Sequence, residues 1–179
     1  MALNDYSDLS EMQLDALREI GNIGSGNAAT ALSSMQKAGI RSIQVHTGGE
    51  CAMDAAMTRQ AIEAFDTSDL DLLFLENVGN LVCPAELDTG ADVNVEILSL
   101  PEGDDKPLKY PLMFKVCQCV LINKTDTEEY FRFDREAVIE RIRRLNPSTE
   151  IIFLSAKTGE GFEAWTDWLI SQMEKWRSA

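Results

Sequence analysis

The sequence predicts a parallel α/β sheet, because apolar strands alternate with helical segments along most of the 179 residues. The continuous apolar runs at residues 70–75 and 116–122 have the character of strands buried on both faces. The second run leads directly into Asn-Lys-Thr-Asp, and the run at 151–154 leads into Ser-Ala-Lys. Polar groups at the carboxyl ends of parallel strands indicate a ligand site at that edge of the sheet.

The remaining elements are predicted from hydrophobic periodicity and from the turn residues between them. The expected strands lie at residues 43–45, 70–75, 93–100, 116–122 and 151–154, and the expected helices at residues 10–23, 28–35, 51–65 and 134–145. A charged connector is expected over residues 103–111. A final helix follows Gly159, and its expected packing face is Phe162, Trp165, Leu169 and Trp176.

Charge and hydropathy argue against two classes of partner. The formal net charge of −14 is unfavourable for a nucleic-acid-binding surface, and no apolar run is long enough to span a bilayer. The first eight residues are polar and acidic, unlike a secretory signal peptide. Four cysteines in such a chain indicate buried thiols or metal ligands, so a cytoplasmic protein is expected.

The two polar motifs at the sheet edge have the chemistry of guanine recognition. The Asp126 carboxylate can accept two N–H bonds from a guanine edge, and adenine lacks that donor pair. Asn123 can bond the purine N7, and the Ala156 N–H can face the guanine O6. The alternative interpretation is a plain polar turn between strand and helix. The predicted guanine-binding residues are Asn123, Lys124, Asp126, Ser155, Ala156 and Lys157.

A glycine-rich run, from Gly21 to Gly26, has the spacing of a phosphate-binding loop but lacks its chemistry. Asn27 and Ala28 stand where that motif requires Lys for the phosphates and Ser or Thr for magnesium. The segment before the run is a predicted helix, whereas the motif follows a strand. We therefore expect weak binding of GTP through its guanine part and no hydrolysis.

The segment QLDALREIGNIGSGNAATALS resembles the start of the CheC family of response-regulator phosphatases. Asp15, Glu19 and Asn22 match the family pattern, although Gln44 stands where the family has Pro. The resemblance implies that Glu19 and Asn22 orient an attacking water. The three side chains share one face of the predicted helix, so an exposed polar face is the plainer alternative.

From about residue 40 to residue 176 the chain resembles the HypB family, the GTPases and nickel metallochaperones of nickel–iron hydrogenase maturation. The resemblance is carried by LFLENVGNLVCPAELDTG, VLINKTD and NPSTEIIFLSAKTGEGFEAWTDWL, in unbroken order. It implies a P-loop-GTPase-like domain of the SIMIBI type that lacks its P-loop strand. Residues 1–38 would then form a CheC-like helical segment before a truncated G domain at residues 39–179. Gly79 resembles the family's γ-phosphate sensor.

The HypB resemblance also implies a metal site at Cys51 and Cys83, for nickel or zinc. The family has His where this chain has Ala52, so binding is expected to be weak and to need a partner chain, in a homodimer. Two inert thiols are the alternative. Cys117 and Cys119 are instead expected in the core, on one face of a strand.

Three functions remain open on these residues. The first is a GTP-dependent nickel-insertion accessory protein that acts with hydrogenase maturation proteins, with guanine recognition retained and the phosphate half missing. The second is a CheC-like phosphatase, and the third is a non-catalytic interaction or scaffold domain. The HypB-like segment covers most of the chain, which favours the first.

Overall fold

A computed structural model describes residue 35 and residues 37–178 of the chain. In that part, three parallel strands form one sheet in the order β1 (Val95–Ser99), β2 (Cys119–Asn123) and β3 (Glu150–Phe153). Val95 lies opposite Cys119, which lies opposite Glu150. The parallel arrangement confirms the predicted α/β class. The predicted phosphatase residues Glu19 and Asn22, and the glycine run, lie outside the described residues.

The helices begin where the sequence provides caps or prolines. Asp54 and Asp134 each precede a helix and accept a backbone N–H three residues later. Three short helices have proline in their first turn. No described helix is long and apolar enough to cross a membrane. The helices are α1 (Ala55–Ala64), α2 (Cys83–Glu86), α3 (Lys106–Lys109), α4 (Pro111–Val116), α5 (Arg135–Leu145) and α6 (Phe162–Ser178), with 3-10 helices at Leu100–Glu102 and Thr125–Tyr130.

The sheet lies between two hydrophobic clusters, one on each face. Alternate residues of β2 point to opposite faces. Leu121 packs in the cluster that contains Phe162 and Trp165 of α6. Val120 packs in the cluster that contains Phe114 of α4 and residues of α5. The five residues of β2 are all buried, which agrees with the prediction of a strand covered on both sides.

The predicted strands at 43–45 and 70–75 are wrong. Both segments are without strand structure, and Leu73 and Phe74 are 47% and 40% exposed. An apolar run becomes a strand only when a neighbour supplies backbone partners for its N–H and C=O groups. The strands β1, β2 and β3 pair only with one another in the described part of the chain, so residues 70–75 gain no such partner there.

Several boundaries and faces also differ from the predictions. The connector at 103–111 contains helix α3 and the start of α4, and Val116 ends α4 rather than beginning a strand. Cys117 and Cys119 are buried as predicted, but they belong to clusters on opposite sides of the sheet, because only Cys119 lies on a strand. Trp176 is 67% exposed, so it is not part of the packing face of α6.

Candidate functional site

The carboxyl edge of the sheet is held together by the side chain of Asn123. This residue ends β2 and is 1% exposed. Its Oδ1 accepts the backbone N–H of Lys124 at 2.7 Å and that of Ala156 at 3.1 Å. Because Ala156 follows β3, the amide of Asn123 joins the loops after two adjacent strands. Guanine O6 would therefore have to share the Ala156 N–H with Asn123.

Asp126 lies beside the second loop, in the 3-10 helix that follows β2. Its Oδ1 accepts the Ser155 hydroxyl at 2.7 Å, and its Oδ2 is 3.5 Å from Lys157 Nζ. The hydrogen bond from Ser155, and then the charge of Lys157, lower the pKa of Asp126. The structure thus brings an ionised carboxylate together with the other predicted guanine-binding residues. Sequence patterns did not foresee the Ser155–Asp126 bond.

Lys124 has a left-handed backbone conformation, with φ 66° and ψ 36°. It is the one non-glycine residue with positive φ in the described chain. The Lys124 carbonyl accepts both the backbone N–H and the hydroxyl of Thr127, at 3.0 and 2.7 Å. Non-glycine residues in this conformation are uncommon and cluster at functional sites. The turn places Asp126 within reach of Ser155.

The loop after β3 depends on Gly161, which the sequence analysis did not select. Ser155 N–H donates to the Glu160 carbonyl at 2.9 Å, which folds the loop back on itself. Gly161 has φ 74°, and a Cβ there would lie 2.1 Å from the Phe153 carbonyl oxygen. Only glycine allows this close approach. The signal in the sequence was the Gly-Glu-Gly at residues 159–161.

Arg135 is a second residue that the sequence analysis missed. It forms hydrogen bonds to both carboxylate oxygens of Glu128, which lies in the same 3-10 helix as Asp126. Its guanidinium also lies 4.6 Å from the centroid of the Phe153 ring, at the end of β3. Its hydrogen bond lowers the pKa of Glu128. Arg135 therefore ties the Asp126 segment to the third strand.

The two predicted metal ligands are brought into contact, although they are 32 positions apart in the sequence. Cys51 is exposed and Cys83, the first residue of α2, is half-buried. A hydrogen bond with the Cys51 thiol raises the pKa of Cys83. No group of three or more His, Cys, Asp or Glu side chains suited to a metal ion occurs among the described residues. The pair thus supplies two donors of a four-donor site.

Gly79 lies in an exposed loop between Asn77 and Asn80. A Cβ at this position would meet no atom within 4 Å. Asn77 contacts the backbone of Met53, and Asn80 contacts that of Cys51. The loop that carries Gly79 is therefore bonded to the backbone of residues 51–53.

Parallel strands with Asn-Lys-x-Asp and Ser-Ala-Lys at their carboxyl edge define a P-loop-GTPase-like α/β domain. Two solved structures share the fold at a TM-score of 0.78. One is HypB from Helicobacter pylori in complex with nickel, at 31% identity, and the other is hydrogenase maturation factor HypB from Archaeoglobus fulgidus, at 34%. The alignments cover 91% and 90% of this chain and 82% of each of those chains. The chain belongs to the HypB family.

Relatives found by sequence support the same assignment. Hydrogenase maturation factor HypB of Azotobacter chroococcum is 48% identical over 134 residues, which are 75% of this chain and 44% of that protein. The probable HypB of Methanocaldococcus jannaschii is 39% identical, over 72% of this chain and 58% of that protein. The chain thus spans about half the length of these relatives. Separately, the CheC-like family model matches residues 12–41.

Proposed function

We propose that this chain is a HypB-type accessory domain that recognises guanine but does not hydrolyse GTP. The observation that carries the proposal is the contact between Asp126 and Ser155, next to the Asn123–Ala156 bond. The loss of hydrolysis follows from Asn27 and Ala28, which cannot replace the Lys and the Ser or Thr of a phosphate loop. Residues 39–179 would form the G domain, and residues 1–38 a separate helical segment.

The affinity expected from base contacts alone is low. Each hydrogen bond contributes roughly 0.5–1.5 kcal/mol, or up to about 3 kcal/mol when the partner is charged. A few such bonds reach the millimolar range, which corresponds to ~4 kcal/mol. The net charge of −14 opposes binding of the phosphates. We therefore expect guanosine to bind no more weakly than GTP.

The test is a titration of the purified chain with guanosine, GDP, GTP and adenosine. The expected order places guanosine at or above GTP, and adenosine below both. Asp126→Asn should remove the preference for guanosine, because the amide replaces one acceptor oxygen by an NH2 donor that would face a guanine N–H. Asp167→Asn, on the exposed face of α6, is the control for the change in charge. Micromolar GTP affinity, or GTP turnover that Asp126→Asn abolishes, would contradict the proposal.

We further propose that Cys51 and Cys83 bind nickel, or zinc, as cargo. Two thiols in contact suit a soft-ligand site, and they leave half of a tetrahedral shell to be filled. A second copy of the chain would supply the remaining donors, so that the site is complete only in a homodimer. Hydrogenase maturation proteins would be the recipients, in the cytoplasm, where free thiols are retained.

The metal proposal is tested by competition between the chain and a chromophoric chelator for Ni²⁺ or Zn²⁺. Cys51→Ser and Cys83→Ser should each weaken binding, because a hydroxyl is a poor substitute for a thiolate. His46→Gln is the control, since His46 is not one of the proposed ligands and its Nδ1 accepts the Gly48 N–H. Unchanged affinity in both serine variants would show that the thiols are inert.

The CheC-like match at residues 12–41 favours a second candidate, dephosphorylation of a response regulator. Glu19 and Asn22 would orient the attacking water. We expect little or no activity, because Gln44 replaces the family's Pro and the match covers a short segment. A dephosphorylation rate that rises with added chain, and falls in the Glu19→Ala/Asn22→Ala double variant, would establish this function. If guanine binding, metal binding and dephosphorylation were all absent, a scaffold role would remain.

A further inference from the structure

Asn80 links the segments that carry the two thiols. Its Nδ2 donates to the Cys51 carbonyl at 3.1 Å. Its Oδ1 accepts the N–H groups of Val82 and Cys83, at 3.0 and 2.9 Å. The single amide group therefore touches the backbone of both cysteines, one with each end. Because these bonds use its donor and its acceptor, Asn80 is placed to orient the thiols and not to act as a ligand.

Asn77 makes a pair of hydrogen bonds to the backbone of Met53, two residues after Cys51. Its Oδ1 accepts the Met53 N–H at 2.8 Å, and its Nδ2 donates to the Met53 carbonyl at 3.4 Å. Ala52 and Met53 are 1% and 6% exposed, whereas Cys51 is exposed. The backbone is thus anchored immediately after Cys51, and of residues 51–53 Cys51 alone reaches solvent.

We propose that Asn80, supported by Asn77, is a positioning residue that holds the thiols of Cys51 and Cys83 together before a metal ion arrives. This inference rests on the proposed metal function and specifies how that site is assembled. If the two segments were free, metal binding would have to order them, and the entropy cost of that ordering would weaken the affinity. A pair held in place by the asparagines avoids most of that cost.

The exposure of the two cysteines agrees with this arrangement. Cys51 is exposed, and Cys83 is half-buried at the start of α2, so both side chains lie beside the amide that joins their backbones. Asn80 would then act on affinity through the distance between the sulfur atoms and not through their chemistry.

The experiment measures thiol proximity and metal affinity separately in the full chain. Proximity is measured without metal as the yield of dibromobimane bridging, since this reagent fluoresces when it joins two nearby thiols. Ni²⁺ and Zn²⁺ affinities are measured by chelator competition. In Asn80→Ala we expect bridging and both affinities to fall about tenfold, the effect of losing such hydrogen bonds. Asn94→Ala is the control, because the hydrogen bonds of Asn94 to other described residues are all made by its backbone.

A second variant keeps the test valid if Asn80→Ala fails to fold. Asn80→Asp retains the oxygen that accepts from Val82 and Cys83, but it replaces the Nδ2 donor to Cys51 by an oxygen. It should preserve α2 and still lose bridging. Wild-type bridging in this variant, or in folded Asn80→Ala, would overturn the inference. Cys51→Ser and Cys83→Ser variants with unchanged metal affinity would instead refute the metal function, while the bridging result would still decide the role of Asn80.

Discussion

At the scale of single residues, Glu96 is a carboxyl group whose charged form is disfavoured by burial. It is 7% exposed on β1, on the same side of the strand as Leu98. Burial, and then the charge of Glu102, raise its pKa to about 7, with Lys106 opposing the shift. A buried charge is costly without a close partner. Glu96 is therefore expected to make the stability of the protein depend on pH.

We expect Glu96→Gln to remove that pH dependence. Because the folded pKa of about 7 exceeds the ordinary value of 4.5, the folded state keeps the proton in this range. The contribution of Glu96 to stability should be greatest at and below pH 4.5, fall as the pH rises to 7, and then level off. The shift corresponds to about 3 kcal/mol at most. Urea unfolding at pH 5 and pH 8 should show a smaller difference in the variant than in the wild type; equal differences would contradict the assignment.

Gly161→Ala should be strongly destabilising. The new Cβ would lie 2.1 Å from the Phe153 carbonyl oxygen, at a residue with φ 74°. A left-handed alanine costs roughly 1–2 kcal/mol, and the overlap adds roughly 1–3 kcal/mol. Gly79→Ala is the control, because its Cβ meets no atom within 4 Å. Urea unfolding midpoints give the comparison, and similar midpoints for the two variants would refute the requirement for glycine.

At the scale of elements, the two capped helices differ in what they support. Asp134 caps α5, which buries Val138 and Ile142 in the core, whereas Asp54 caps α1, which buries only Thr58. Both caps accept an N–H at 2.8–2.9 Å. The same local interaction should therefore have unequal effects on the whole protein.

We expect Asp134→Ala to lower the free energy of unfolding by about 1 kcal/mol, the usual effect of losing a cap. Asp54→Ala should leave global unfolding nearly unchanged, because α1 contributes little to the core. Instead it should increase amide hydrogen exchange over residues 55–64. Equal losses of global stability in the two variants would show that α1 is coupled to the core more tightly than its burial indicates.

At the scale of the whole molecule, charge and metal act in opposite directions on self-association. The net charge of −14 opposes contact between two copies, and salt screens that repulsion. Two thiols per chain leave a metal half-coordinated, which favours a second copy. Sedimentation should therefore show a dimer fraction that rises with Ni²⁺ or Zn²⁺ and with salt. Cys51→Ser should abolish the effect of metal but not that of salt; a metal response that survives would exclude the shared site.

The sequence by itself determined the parallel α/β class and the polar edge of the sheet. Buried strands such as β2 are recognisable because both faces demand apolar side chains, and the motifs that end β2 and β3 are local. The HypB resemblance also pointed to Cys51 and Cys83, whose backbones Asn80 joins, and their metal role stays a prediction. These features could be predicted because each depends on a short stretch of sequence.

Only the tertiary structure decided the features that depend on distant partners. Residues 70–75 have the composition of a strand, but no described strand pairs with them, so they form no strand, and Leu73 and Phe74 are exposed. Asn77 and Asn80 lie in a stretch that carries the HypB resemblance, but only the fold brings their amides to a segment 24 to 29 positions away. Gly161 gained its importance from the Phe153 carbonyl. Hydrogen bonds and close contacts between distant residues form only on folding, so patterns within a short stretch of sequence do not predict them.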